Sequence, residues 1–248
     1  DITIIWAGIA GVSTAFQLLT HTDLTITLLD GKKIARGATG HNAGQVVLYF
    51  ERPFQEIVWE YWLEKAIDGQ KALFRWFDVL LEMVDKIGMQ EQLEICEGYM
   101  GVRSMQQLIR HLENKCLRDT GGAQFDGVLI DQHWSDIHTL PENFRDLVTV
   151  VDQSFIREKL ETNEYFPALM TSKKACVNSA LFCQTALQYL LKHFSKRLTV
   201  HEHSLVSEIR LFPDRANEVW VDDYKIDSSD VVLCTNGFEH FHIVDLHH

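Results

Sequence analysis

The residues with the clearest chemical potential stand together near the N-terminus, in the run Trp6-Ala7-Gly8-Ile9-Ala10-Gly11, with Asp30 following. The spacing is that of G-x-G-x-x-G with an acid roughly 20 positions on. Gly8 would let the backbone approach a pyrophosphate, and Gly11 would let a helix pack closely on a strand. A helix beginning there turns its partial positive charge toward the phosphates. Asp30 would accept hydrogen bonds from a ribose diol. The implied chemistry is dinucleotide binding through Gly8, Ile9, Ala10, Gly11, Asp30 and Gly31; the competing reading is a β-α-β crossover that binds nothing.

Trp6 departs from this pattern. A first glycine permits a tight turn where a side chain would collide, and another residue held in that conformation costs roughly 1–3 kcal/mol. The indole is also large enough to take cofactor space. Three readings stay open: a tolerated substitution, a chain that has lost its cofactor, and a misrecorded residue.

Other reactive side chains give weaker patterns. His201 and His203 would share one face of a strand, as two metal ligands might, but no third ligand has matching spacing, and exposed strand histidines are preferred. His133, Asp136 and His138 are read the same way, and no metal site is expected. Trp59, Trp62, Trp76 and Phe77 are read as helix core rather than as an aromatic cage. The five cysteines include no C-x-x-C pair and read as reduced, mostly buried thiols of a cytosolic protein.

The elements that must position these groups follow from hydrophobic periodicity. Residues 2–5 read as a buried parallel strand, 8–11 as a turn, 12–19 as a helix and 24–29 as a second strand ending at Asp30. Strand, turn, helix and strand make one βαβ unit. A long helical region is expected over 54–87, interrupted at Gly69. Residues 99–102 suggest a strand, 105–117 a helix, 125–130 a strand and 155–160 a short helix. Ser179 is a plausible cap for a helix over 180–194. Strands are expected at 198–201, 205–211 and 218–221, with a final buried strand at 231–234.

The loop Ala35-Arg36-Gly37-Ala38-Thr39-Gly40-His41-Asn42-Ala43-Gly44-Gln45 carries the more restrictive pattern G-A-[ST]-G-x-N-[AG]-G. It resembles the second FAD-binding loop of the D-amino-acid-oxidase-like FAD-dependent oxidoreductases, a group that includes glycine and sarcosine oxidases and putrescine-type amine oxidases. The resemblance implies that Ala38, Thr39, His41, Asn42, Ala43, Gly44 and Gln45 run beneath the flavin and hold it and its pyrophosphate through backbone N–H groups, a task that small residues suit. The competing reading is a flexible surface loop. For His41, a polar contact is preferred over covalent flavin attachment. Residues 177–191 resemble the family helix that returns to the FAD domain. The turn His203-Ser204-Leu205-Val206 resembles the adenine-side segment, with backbone near Val206 meeting the adenine. Cys234-Thr235-Asn236-Gly237 resembles the strand end beside the flavin, which adds Thr235, Asn236 and Gly237 to the expected site. Residues 50–170 fit by position only.

The resemblance implies an α/β fold: a Rossmann-like FAD-binding domain from 1–48 and 171–248, an inserted, largely helical α+β substrate or cap region over 49–170, and the C-terminal part of the family fold absent. It implies oxidation of the C–N bond of an amino acid or amine, by hydride transfer to FAD. Two alternatives stand beside it: an FAD-dependent dehydrogenase of a 2-hydroxy acid or glycerol phosphate, and a non-catalytic or truncated flavoprotein-fold chain that has lost FAD. The family's substrate-orienting groups lie largely beyond the stretch represented in this chain, so no catalytic residue is assigned.

The 248 residues suffice for one large or two small domains. A net charge of −12 repels phosphate backbones, so nucleic acid is not an expected partner. No apolar run reaches the roughly 18–20 residues of a membrane helix. No signal peptide is visible, and the expected location is cytoplasmic. The missing initiator Met suggests numbering from inside a longer chain. Substrate identity, electron acceptor and oligomeric state stay open.

Overall fold

Ile2, Thr3, Ile4 and Ile5 are all buried, as a parallel strand covered on both faces requires. The computed structural model describes residues 1–124, 126–237 and 241–246. Within them the helices are α1 (Ile9–His21), α2 (Phe54–Ile87), α3 (Met105–Thr120), α4 (Gln153–Leu160) and α5 (Ser179–His193). The first strands are β1 (Ile2–Ile5), β2 (Ile26–Leu29), β3 (Gln45–Val47), β4 (Glu94–Val102), β5 (Asp126–Asp131), β6 (Thr149–Val151) and β7 (Ala168–Cys176). They are followed by β8 (Leu198–His201), β9 (Val206–Leu211), β10 (Asn217–Val221), β11 (Tyr224–Ser228), β12 (Asp230–Leu233) and β13 (His242–Asp245). Phe125, expected to open β5, lies outside the described residues.

The chain divides into two compact units. One comprises Asp1–Gly44, Met83–Gln92 and the chain from Val177 onward; the other comprises Gln45–Glu82 and Leu93–Cys176. Strand β3 pairs with the last three residues of β7 within the second unit.

In the first unit a parallel sheet has the order β12-β1-β2-β8. Helices α1 and α5 pack together, with Phe16 and Tyr189 stacked at 5.6 Å. Just after α1 the Arg197 guanidinium donates to the carbonyls of Leu19 (2.7 Å), Thr22 (2.6 Å) and Leu24 (3.2 Å). A cation at a helix C-terminus satisfies carbonyls that the helix itself cannot. Arg197→Ala is therefore expected to cost about 1–3 kcal/mol, read by urea unfolding; an unchanged midpoint would remove this role.

A second sheet in the same unit has the order β11-β10-β9-β13. Strands β9 to β11 form an antiparallel meander and β13 lies parallel to β9. Ile5, Leu29, Val206, Ile209, Val219 and Phe241 form a shared core against which Trp6 packs. Strand β12 is not the buried strand expected over 231–234: Leu233 is exposed, and Val231 and Val232 are half-buried. It pairs only with β1 among the described residues.

The second unit is built around β7. Strand β4 pairs with it over nine residues, from Glu94 opposite Cys176 to Val102 opposite Ala168. On its other side lie β5 and β3, and β6 extends the sheet beside β5. Val102, Leu108, Leu112, Val128 and Ile130 join sheet and α3 in one core. Among the described residues the second unit's sheet thus holds five strands.

Helix α2 breaks at Trp62 (φ 69°, ψ 158°), not at Gly69. Gly69 stays helical because a Cβ there would stand 3.3 Å from the Phe50 ring; its small size serves packing. Trp59 is 72% exposed, Trp62 78% and Trp76 44%, whereas Phe77 is buried, which corrects the core expectation for the three tryptophans. The cap of α5 is Asn178, whose side chain accepts from the Leu181 N–H at 3.0 Å, not Ser179. Only Cys183 is buried among the cysteines; Cys116 is exposed and the other three are half-buried, contrary to the expectation of mostly buried thiols.

Candidate cofactor site

At the carboxyl end of β1 the chain turns into α1. Trp6 takes φ 81°, and its N–H donates to the Leu29 carbonyl at 2.7 Å. A Cβ on Gly11 would lie 1.9 Å from the Trp6 carbonyl oxygen, so only glycine lets α1 lie this close to the turn. Ile9 and Ala10 are exposed at the helix start. The first-turn N–H groups of a helix have no intrahelical partner. Ile9 gives its own to Thr39 Oγ1 at 3.0 Å; those of Ala10 and Gly11 belong to the same turn. Thr39 Oγ1 also lies 3.0 Å from the position a Gly8 Cβ would take, so a side chain on Gly8 would crowd the second loop.

Asp30 ends β2 and is 8% exposed. One carboxylate oxygen accepts from the Ala7 N–H at 2.9 Å and the other from the Lys32 N–H at 2.8 Å. A carboxylate offers about four acceptor positions, so both oxygens keep capacity for a ribose hydroxyl. Gly31 faces Leu205: a Cβ there would meet Leu205 Cδ1 at 2.8 Å. The turn after β8 is tied to this segment by His203 N–H to Lys32 O (3.1 Å) and Ser204 N–H to Asp30 O (2.8 Å).

The second loop makes a single 3-10 turn at Ala38–His41. Asn42 organises it from within. Its Oδ1 accepts from the Gly44 N–H (2.7 Å) and from Ser179 Oγ (2.9 Å), while its Nδ2 donates to the carbonyls of Thr39 (3.0 Å) and Ala38 (3.2 Å). Asn42→Ala is expected to cost about 1–3 kcal/mol through the buried partners left behind, measured by thermal unfolding; equal stability would mean that the loop holds itself. His41 and Ala43 are exposed, and the His41 ring nitrogen stands 2.8 Å from the Gly37 carbonyl. Gly44 is buried at φ 68°.

At the end of β12 the Cys234 N–H donates to the Ile5 carbonyl at 3.0 Å. Burial pushes the Cys234 thiol above its ordinary range, and a hydrogen bond with Thr14 opposes the shift. Thr235 is buried, Asn236 takes φ 54° and Gly237 is exposed. Val206 is buried in the core that Trp6 joins. Contacts therefore link the β1–α1 turn to Asp30 and Thr39, and the second loop to the start of α5. Gln45 opens β3 in the second unit, opposite Cys176. Sequence reasoning missed Ser179 as a partner of Asn42 and Leu205 as a neighbour of Gly31; both contacts span long stretches of chain and leave no local pattern. His201 and His203 do not share a strand face, since β8 ends at His201 and His203 takes φ 55°.

The second unit carries a cleft of about 500 Å³ lined by Tyr49, Phe54, Tyr99, Arg110, His111 and Lys174, among others. Burial lowers the His111 pKa, which the Asp126 charge partly opposes. Among the described residues no three His, Cys, Asp or Glu side chains gather as a metal site, and no helix is long and apolar enough to cross a membrane.

A parallel sheet whose carboxyl ends carry a glycine turn, a buried acid and a small-residue second loop defines a dinucleotide-binding flavoprotein fold. The chain belongs to the FAD dependent oxidoreductase family, which it matches over residues 1–246. FAD is the cofactor of that family. No curated protein matches the chain. Among solved structures it is similar to L-amino acid deaminase from Proteus myxofaciens (TM-score 0.65, 19% identity, 94% of this chain and 44% of that one). It is also similar to glycine oxidase from Geobacillus kaustophilus (0.63, 15%, 94% and 54%). A third is L-alpha-glycerophosphate oxidase from Mycoplasma pneumoniae, solved with FAD bound (0.57, 14%, 93% and 52%). The chain spans about half the length of these structures.

The residues fit that cofactor along the phosphate-facing surface: glycines at 8 and 11, an exposed helix N-terminus, and Asp30 with acceptor capacity to spare. The exception is Trp6, whose indole packs into the same core as Val206.

Proposed function

We propose that this chain holds FAD in an enzyme that oxidises the C–N bond of an amino acid or amine. The observation that carries the reading is the second loop, ordered by Asn42 and joined to the N-terminus of α1 through Thr39 and Ile9. In this reading the amides of Ala10 and Gly11 face the pyrophosphate and Asp30 accepts from the ribose. Val206 lies on the adenine side, and Ala38, Thr39, His41, Asn42, Ala43, Gly44, Gln45, Thr235, Asn236 and Gly237 serve the flavin side. The bound flavin supplies the hydride acceptor. The substrate is a small molecule, in keeping with a net charge of −12 that disfavours polyanions. Two of the three structures compared are named for amino-acid substrates and one for glycerophosphate, so a glycerol phosphate or 2-hydroxy acid dehydrogenase is the neighbouring alternative. A chain that has lost FAD is the reading that Trp6 favours.

The test is the visible spectrum of the purified protein before and after addition of FAD, followed by anaerobic bleaching with amino acids, amines and glycerol phosphate in turn. Flavin absorbance that bleaches with an amino acid or amine supports the reading. Bleaching by glycerol phosphate alone moves the assignment to the alternative. A colourless protein that takes up no FAD overturns it.

A further inference from the structure

Strands β4 and β7 run antiparallel with Cys96 opposite Lys174 and Glu94 opposite Cys176. Side chains alternate along a strand, so residues 174 and 176 point to one face, and the register places Cys96 and Cys176 on that face as diagonal neighbours. Both residues are half-buried, so small oxidants reach them. The pair lies where the ladder ends: Cys176 is the last residue of β7 and Glu94 the first of β4. Diagonal neighbours in a flat ladder sit slightly wider than a disulfide prefers. Strand twist and a small backbone shift are what close that difference.

We propose that Cys96 and Cys176 form a peroxide-sensitive dithiol that closes into a disulfide tying β4 to β7. One thiolate attacks hydrogen peroxide: an S–O bond forms, the O–O bond breaks, and water leaves. The second thiol then attacks that sulfur: the S–S bond forms, the S–O bond breaks, and a second water leaves. Two thiols and one peroxide thus give one disulfide and two waters. Burial, with the Cys176 thiol and Glu94 alongside, pushes the Cys96 thiol above its ordinary range, and the Lys174 ammonium opposes the shift. Closing a long loop stabilises a fold by restricting its unfolded chain.

The experiment treats the full chain with stoichiometric hydrogen peroxide, then alkylates and maps the cysteine peptides. Five free thiols should fall by two, with a linked peptide pair containing Cys96 and Cys176 and a mass loss of about 2 Da for two hydrogens. The melting temperature should rise by several degrees and return on reduction. Cys96→Ser and Cys176→Ser should each abolish both changes, while Cys116→Ser, which removes the exposed thiol, should leave them intact. Separate alkylation of Cys96 and Cys176 after peroxide, or oxidation confined to Cys116, would overturn the proposal. Because wild-type protein alone gives the peptide map, a variant that fails to fold does not rescue it.

Discussion

Trp6→Gly is expected to tighten FAD binding by about tenfold or more, equivalent to about 1.4 kcal/mol. Two effects in the structure point the same way. The first is backbone strain: Trp6 holds φ 81°, a region that glycine occupies freely and that costs another residue roughly 1–3 kcal/mol. The second is bulk. The turn that holds Trp6 delivers Ala7 to Asp30 and Gly11 to the Trp6 carbonyl, and the indole packs in the core that contains Val206. Loss of indole packing works against the relief of strain, so stability is expected to move little, and the variant remains measurable. Titration of wild type and variant with FAD, FMN and ADP by calorimetry separates the causes. A gain for FAD and ADP with FMN unchanged places the obstacle at the adenosine end. Equal affinities in both proteins would clear Trp6 of any role.

Gly44→Ala is expected to act in the opposite direction, with a loss of about 3 kcal/mol in stability and no detectable FAD uptake. The methyl would stand 2.0 Å from the Val177 carbonyl oxygen, in a backbone at φ 68°. Neither the side chain nor the backbone has a cheap way out, because Val177 donates its own N–H to the Gly44 carbonyl at 2.9 Å. Gly37→Ala is the matched control in the same loop. Nothing lies within 4 Å of its Cβ position and φ is negative, so its effect should stay within about 0.5 kcal/mol. Chemical denaturation of the two variants checks the contrast; similar losses at both positions would show that the loop tolerates or rejects side chains for some reason other than contact.

The first βαβ unit was legible because its signals are local: an apolar β-branched run, two glycines, and an acid at the strand end. The second loop was legible through its dense pattern of small residues. Strand β7 was not. Its sequence, Ala168-Leu169-Met170-Thr171-Ser172-Lys173-Lys174-Ala175-Cys176, carries two lysines and two hydroxyl residues at its centre. The two lysine ammonium groups stand over aromatic rings, Lys173 over Phe77 and Lys174 over Tyr49. Those partners come from α2 and the segment before it, far away in sequence. The break in α2 was placed at Gly69 because glycine is the usual suspect inside a helix, whereas the break falls at Trp62, where no local rule foresees it. The Asn42 side chain is occupied with the loop's own backbone and with Ser179, a partner that lies 137 residues away and leaves no local pattern in the sequence.

Strand β12 has a consequence for how the protein behaves in solution. Among the described residues its second edge is unpaired and offers a row of backbone donors and acceptors, in a strand whose Leu233 is 40% exposed. Such an edge is a template onto which another extended segment can add. A preparation of this chain by itself is therefore prone to concentration-dependent self-association through strand addition, and a lysine at position 232 or 233 is the substitution that would keep it dispersed.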